Sequence, residues 1–350
     1  MHTASPTWPD LLSRLVSGQP LESTETAWAM DQIMTGEATP ARVAAFAVAL
    51  RAKGETSSEI LGMADAMIAH ALPLEIPNKA VDVVGTGGDR AGTVNISTMT
   101  SIVLAACGAT VVKHGNRAAS SNCGTADVLE ELGVAIDLPP EGVRECVRRV
   151  GIGFCFAALF HPAMKHTAGP RREIGIPTAF NVLGPLTNPA RPGSGLIGCA
   201  DPRMAPIMAE TFARRGHSVL LVSGDDGMDE ITTTTTTTVW VVGDGTVRRE
   251  HIDPTDFGIA LTSPDKLRGG DAAVNARVVR ELLDGARGPV RDAVLLNTAG
   301  ALAAYDGPVT DLRGALEEGL RKAAEAVDSG AARELLDAWS ELSGELRSEH

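Results

Sequence analysis

Aromatic residues are scarce: they make up 3% of the 350 residues, with a single tyrosine. Base stacking on aromatic platforms, a common way to hold single-stranded nucleic acid, has little to work with here. A cationic surplus is missing too. The 44 Asp and Glu against 31 Lys and Arg leave a formal charge of −13. That argues against a generic nucleic-acid partner, because neutralising phosphates needs a basic face. The longest apolar run, around Val103 to Val112, falls far short of the ~20 residues of a membrane span, so no membrane partner is expected. The stretch MHTASPTWPDLLSRLVSG has neither a basic nor an apolar leader segment, and no secretory signal is expected. The five cysteines (Cys107, Cys123, Cys146, Cys155 and Cys199) are scattered, odd in number and form no CxxC pair. They read as reduced thiols in a cytoplasmic protein.

What is present is an ordinary globular composition, 44% hydrophobic and 21% charged, with enough apolar mass for a core. The chain divides by pattern. Residues 1–75 read as helices: Thr24 is the expected cap of one, Thr39-Pro40 opens a second and Ser58 a third, each followed by an apolar stripe. Pro73 and Pro77 close this block. From 78 to 350, β-rich runs alternate with helical segments, the mark of a mostly parallel sheet covered by helices. The expected fold class is therefore α/β: a small amino-terminal helical domain plus a large α/β domain. Residues 161–192, rich in Pro, Gly and basic residues, read as an irregular crossing that partly joins the helical domain. The run Thr232 to Thr238 reads as a strand on propensity, and Asp244-Gly245 as a hairpin turn.

Five stretches carry candidate chemistry. Gly85-Thr86-Gly87-Gly88-Asp89 follows a strand, and its glycines let backbone amides approach a ligand. It is neither a Rossmann fingerprint, since Arg90 stands where glycine is needed, nor a Walker loop. Asn95-Ile96-Ser97-Thr98 precedes an apolar helix; Ser97 or Thr98 reads as a plain N-cap, or the helix start reads as an anion site. Lys113-His114-Gly115-Asn116-Arg117 with Ser120 and Ser121 lies at the carboxyl end of a strand, where α/β sheets bind ligands. Thr125 is the expected cap of the next helix. Asp225, Asp226, Asp229 and Glu230 crowd one turn, either as turn chemistry or as oxygen ligands for Mg²⁺. His161 and Lys165, with Arg171 and Arg172, read as a basic linker or a carboxylate clamp. A polyphosphate with a carboxylate-bearing second substrate satisfies all five.

GTGGD, NIST, KHGNRAASS, HPAMKH with PRREIG, FNVLGPLTNPA and DDGMDEITT, in this order and spacing, resemble the anthranilate phosphoribosyltransferases of tryptophan biosynthesis. The resemblance runs on through GGDAAVNA near Gly269. It implies a transferase that moves the phosphoribosyl group of 5-phosphoribosyl 1-diphosphate to the amine of anthranilate, in a homodimer paired through the helical domains. It implies that Gly85, Gly88, Asp89, Thr93, Asn95, Ser97, Thr98, Lys113, Asn116, Arg117, Ser120, Ser121 and Thr125 hold the diphosphate. Gly85, Asn116 and Arg171 would meet anthranilate, and Ser97, Asp229 and Glu230 would bind two Mg²⁺ per subunit. No catalytic base is demanded; His114 is the candidate, as base or as scaffold. Three departures stand out: Ala158 in place of proline, Ser223 in place of histidine, and Gly169-Pro170 before the arginines. Alternative readings are a transferase for a substituted anthranilate or other aromatic amine, a pyrimidine nucleoside phosphorylase, and a nucleic-acid-binding relative.

Overall fold

Four helices form the amino-terminal part: α1 (Trp8–Val16), α2 (Ser23–Met34), α3 (Pro40–Lys53) and α4 (Ser57–Ala69). Thr39 caps α3 with Pro40 at its first position, as expected. The other two caps sit elsewhere than the sequence suggested. Glu22, not Thr24, opens α2, and Thr56, not Ser58, opens α4; each forms a capping box with a glutamate three residues on, Glu25 or Glu59. The reciprocal pair satisfies two orphan amides where a lone hydroxyl satisfies one. Glu59 is fully buried, and its carboxylate also takes the Leu21 amide and the Lys53 ammonium. α4 ends at Ala69, ahead of either proline. The computed structural model describes residues 6–76, 79–118 and 122–349, so Ser120 and Ser121 of the expected site lie outside the described residues.

The larger domain runs β1 (Val81–Gly85), α5 (Ile96–Ala106), β2 (Val111–Gly115), α6 (Thr125–Glu131), α7 (Pro140–Val150), β3 (Ile152–Phe156), α8 (Ala157–Phe160), α9 (Lys165–Ile174), β4 (Ser194–Gly198), α10 (Ala205–Arg214), β5 (Ser218–Gly224), β6 (Thr237–Gly243) and β7 (Thr246–Ile252). Four helices follow: α11 (Ala272–Leu283), α12 (Pro289–Asp306), α13 (Leu312–Asp328) and α14 (Ala331–Ser348). The seven strands lie in the order β3-β2-β1-β4-β5-β6-β7, parallel through β5 and antiparallel beyond it. This is the expected mostly parallel sheet. Central strands such as β4, buried along its whole length, are apolar on both faces because helices cover both. One face packs on α5 and α12, with α14 lying outside α5; the other packs on α10 and the amino-terminal helices, where Phe46, Ile60 and Met63 share a core with Met208, Phe212 and Leu221. The hairpin at Asp244-Gly245 has both residues at positive φ, 50° and 71°, as a tight turn between twisted strands requires.

Two expectations are corrected. Of the threonine run only Thr237 and Thr238 belong to a strand; 232–236 is irregular and folds back on the turn before it, where the hydroxyls of Thr232, Thr234 and Thr236 bond the carboxylates of Asp226 and Asp225. The 161–192 stretch contains a regular helix, α9, packed on α2 and α3. Its period is hard to read because only Thr167 and Pro170 of its ten residues are buried. The strand order reverses at β1, which pairs with β2 on one side and β4 on the other. The crevice beyond the carboxyl ends at such a point is where open α/β sheets bind ligands.

Candidate active site

The loop after β1 is built from left-handed backbone: Gly87, Gly88, Arg90 and Gly92 all have φ between 59° and 84°. Glycine adopts this conformation without steric cost, and backbone of this kind lets amides approach an anion. The loop ends at Asn95, which opens α5 without a side-chain cap. Neither Ser97 nor Thr98 is the N-cap. Both lie in the first helical turn, beside amides left without intrahelical partners. Asp89 holds the Ala91 amide at 3.2 Å, and Thr93 pairs with Arg268 across an antiparallel bridge.

β2 contributes Lys113, only 1% exposed. Its ammonium donates to the Val83 carbonyl and to Ser97 Oγ, the latter at 3.2 Å. Burial pushes its pKa down to about 8, opposed by the nearby carboxylates of Asp82, Glu230 and Asp229. Asp82, also buried, is pushed up to about 6; it accepts from the His114 amide (3.1 Å) and Asn188 Nδ2 (2.8 Å). The His114 ring bonds the Gly184 carbonyl through Nδ1, leaving Nε2 without a partner, and burial with the nearby His161 pulls its pKa to about 3. Beyond the strand, Asn116 is exposed and accepts the Arg117 amide. Arg117 turns to α6, paired with Asp127 at 2.9 Å and with Glu130. Thr125 is the first residue of α6 rather than its cap, which is Gly124, and its hydroxyl meets that of buried Thr98 at 3.5 Å.

The turn after β5 sorts the four carboxylates into two pairs. Asp226 takes the hydroxyls of Thr232 and Thr234, and Asp225 takes those of Thr236 and Thr238. These two acids fix the turn. The other two face the β1 loop. Asp229 Oδ2 accepts the Gly87 amide, and a Cβ on Gly85 would overlap that same oxygen. Burial, then repulsion from Asp89, pushes Asp229 up to about 6. Glu230 is driven well above the usual carboxylate range by burial and by Asp229 and Asp89, and its buried Oε2 has no partner. Behind them, Asn297 of α12 grips both the amide and the carbonyl of Ile231, at 2.9 and 2.8 Å. An orphaned buried carboxylate oxygen among mutually repelling acids suits a hard divalent cation. Mg²⁺ is commonly held by one or two carboxylates together with substrate phosphates. Among the described residues no group of three acidic, His or Cys side chains is placed to hold a metal ion.

Arg171 approaches from α9, stacked on the Phe180 ring at 5.9 Å, and burial lowers its pKa. His161 lies 5.1 Å from the His114 ring and bonds the Thr187 carbonyl at 2.9 Å. Ala158 is exposed on α8, Gly169 and Pro170 lie within α9, and Ser223 is buried in β5. A cavity of about 280 Å³ opens at the opposite edge of the sheet, by the starts of β4 and β5. It holds none of the expected site residues, and Arg215 at its wall bonds the Leu186 carbonyl and Asp65, so concavity alone does not mark the chemistry. Sequence reasoning missed Asp82, Asn188, Asn275 and Asn297, which support the site from behind; FNVLGPLTNPA gave a signal at Asn188 and GGDAAVNA one at Asn275.

The geometry has close counterparts. Residues 9–71 match the helical bundle domain of the glycosyl transferase family, and residues 77–333 match its a/b domain. The anthranilate phosphoribosyltransferase of Saccharopolyspora erythraea is 71% identical over 100% of this chain and 99% of its own. The crystal structure of the Thermus thermophilus anthranilate phosphoribosyltransferase superposes with a TM-score of 0.89 at 40% identity, covering 95% of this chain and 99% of that one. The Saccharomyces cerevisiae enzyme in complex with PRPP and Mg gives 0.87 at 27% identity, covering 99% and 100%. The chain therefore belongs to the anthranilate phosphoribosyltransferase family.

Proposed function

We propose that the loops after β1, β2 and β5 hold 5-phosphoribosyl 1-diphosphate with magnesium, and that Asn116, Arg171 and Gly85 receive anthranilate. The reaction is the family's: the amine nitrogen bonds to C1 of the ribose, the C1–O bond to diphosphate breaks, and N-(5-phosphoribosyl)anthranilate and pyrophosphate result. One observation carries the reading: Lys113, Ser97, Gly87, Asp229 and Glu230 converge from three strand ends on one crevice. Left-handed amides at Gly87, Gly88 and Gly92 and the first turn of α5 cradle phosphate oxygens, with Asp89, Thr93, Asn95, Thr98 and Thr125 shaping the pocket. Ser120 and Ser121 belong to the same expectation. Arg117, paired with Asp127 and Glu130 of α6, supports the loop from outside.

Magnesium, two ions per subunit on the family pattern, would sit on Ser97, Glu230 and Asp229 and supply electrostatic stabilisation of the departing pyrophosphate. The Lys113 ammonium, preset by its bonds to Val83 and Ser97, meets the same charge in a site of low dielectric. Arg171 orients the anthranilate carboxylate, and holding both substrates together supplies much of the rest. An arylamine is neutral near neutral pH, so no strong base is needed. His114, with its pKa pulled to about 3, offers Nε2 as a hydrogen-bond acceptor and scaffold rather than as a base.

We place the division between helical and α/β parts at residues 75–78, with 161–192 partly on the helical side; the packing of α9 on α2 and α3 supports this. Pairing into a homodimer through this part is what the family resemblance implies. No disulfide is formed among the described cysteines, in keeping with residence in the cytoplasm. No helix among the described residues is long and apolar enough to cross a membrane. The test is loss of anthranilate fluorescence on mixing protein, diphosphate, Mg²⁺ and anthranilate. Loss requiring all four establishes the reaction; diphosphate binding without loss moves the acceptor to another aromatic amine.

A further inference from the structure

GGDAAVNA, the motif around Gly269, supplies no expected substrate-binding residue of its own, yet it and the two residues before it are fastened to the diphosphate loop at three points. The Val94 amide donates to the Leu267 carbonyl and the Gly269 amide to the Gly92 carbonyl, both at 2.9 Å, and these two bonds make the bridge between Thr93 and Arg268. The third point is a side chain. Asn275, on the first turn of α11 and 2% exposed, donates Nδ2 to Asn95 Oδ1 at 2.8 Å and accepts the Gly270 amide on Oδ1 at 2.8 Å. Asn95 passes the link on, donating its own Nδ2 to the Cys123 carbonyl at 3.2 Å. Asp271 fixes the start of α11 by accepting the Val274 amide. The packing admits no looser arrangement: a Cβ on Gly269 would stand 2.7 Å from the Thr93 carbonyl oxygen and 2.9 Å from Asn275 Oδ1.

We infer that Asn275 is a positioning residue for diphosphate binding, acting through Asn95 to lock the loop after β1 against the loop before α6. This rests on the site proposed above. Buried as it is, Asn275 has no surface to offer a ligand. It sets instead the orientation of the Asn95 amide, and Asn95 stands where the left-handed loop turns into α5. The position needs a donor and an acceptor at once. An aspartate there supplies only acceptors; Asn95 would have to flip its amide to donate, and would then present its oxygen to the Cys123 carbonyl. Either orientation leaves one buried polar contact unmade, which is expensive in a protein interior. The two anion loops would then move independently.

The experiment is a double-substitution cycle on the full chain. Diphosphate binding with Mg²⁺ is measured by calorimetry, and both Michaelis constants are measured for wild type, Asn275→Ala, Asn95→Ala and the pair. Asn275→Asp, nearly equal in size and shape, serves if the alanine variant does not fold. The expected result is a diphosphate Kd raised about tenfold by Asn275→Ala or Asn275→Asp. The anthranilate KM at saturating diphosphate should change less than about twofold, and the pair should bind no more weakly than Asn95→Ala alone. A lowered melting temperature with an unchanged diphosphate Kd would make Asn275 a structural residue only. Additive effects in the pair would show that it does not act through Asn95. A wild-type chain that binds no diphosphate would overturn the site reading itself, before any variant is compared.

Discussion

Asp229 Oδ2 accepts the Gly87 amide at 2.7 Å, joining the turn after β5 to the loop after β1. The glycine at position 85 exists to make room for it, since a methyl group there would occupy the space of the carboxylate. Gly85→Ala is expected to displace a flexible side chain rather than the backbone. The protein should fold, with a stability loss on the order of 1 kcal/mol, while kcat/KM falls at least about a hundredfold. Thermal melts and steady-state kinetics on the same preparation check both halves.

Asp229→Asn with Glu230→Gln should remove Mg²⁺-dependent turnover, by roughly a hundredfold or more. The fold should survive, because Asp225 and Asp226 with their threonine partners still fix the turn. The variant should also melt no lower than wild type in chelator, as two mutually repelling buried acids are gone. Activity within tenfold of wild type would take both residues out of the site.

Asp82 and Lys113 titrate toward each other. The folded pKa of Asp82 is raised to about 6, so the stability gained from its protonation is full at low pH and is lost as pH rises through that value. The folded pKa of Lys113 is lowered to about 8, so its contribution is full in alkali and is lost as pH falls through that value. Asp82 favours the Lys113 ammonium. Removing the carboxylate with Asp82→Asn should therefore move the alkaline limb of kcat/KM for the diphosphate to lower pH. An unmoved limb would mean that the diphosphate does not meet the Lys113 charge.

Arg171→Ala should raise the KM for anthranilate about tenfold or more, and that for the diphosphate less than about twofold. Phe180 would lose its stacked cation. Equal changes in both constants would place Arg171 elsewhere than on the acceptor.

The legible parts of this protein were the local ones. Glycines at 85, 87 and 88, Lys113 at a strand end and the paired acids at 229 and 230 announce themselves within a few residues. The sheet and its covering helices followed from the alternation of β and helical runs. What escaped was set by distant or competing partners. Asn275 meets Asn95 across 180 residues and Asn188 meets Asp82 across 106, and no window of sequence contains either pair. The threonine run read as a strand because propensity counts side-chain branching, not the carboxylates that take the hydroxyls of Thr232, Thr234 and Thr236 in an irregular turn. The caps at Glu22 and Thr56 lay two residues from the expected ones because a partner glutamate decided them.

β7 closes one side of the sheet, and from Thr246 to His251 its residues are exposed apart from half-buried Glu250. Arg248, Arg249, Glu250 and His251 line that rim, where an incoming strand would have to strip water from charges of both signs. The rim is therefore closed to backbone recruitment. Crowded copies of this chain can meet through side-chain surfaces such as the amino-terminal helices, but they cannot extend one another's sheet there, and concentration alone does not seed fibres from that side.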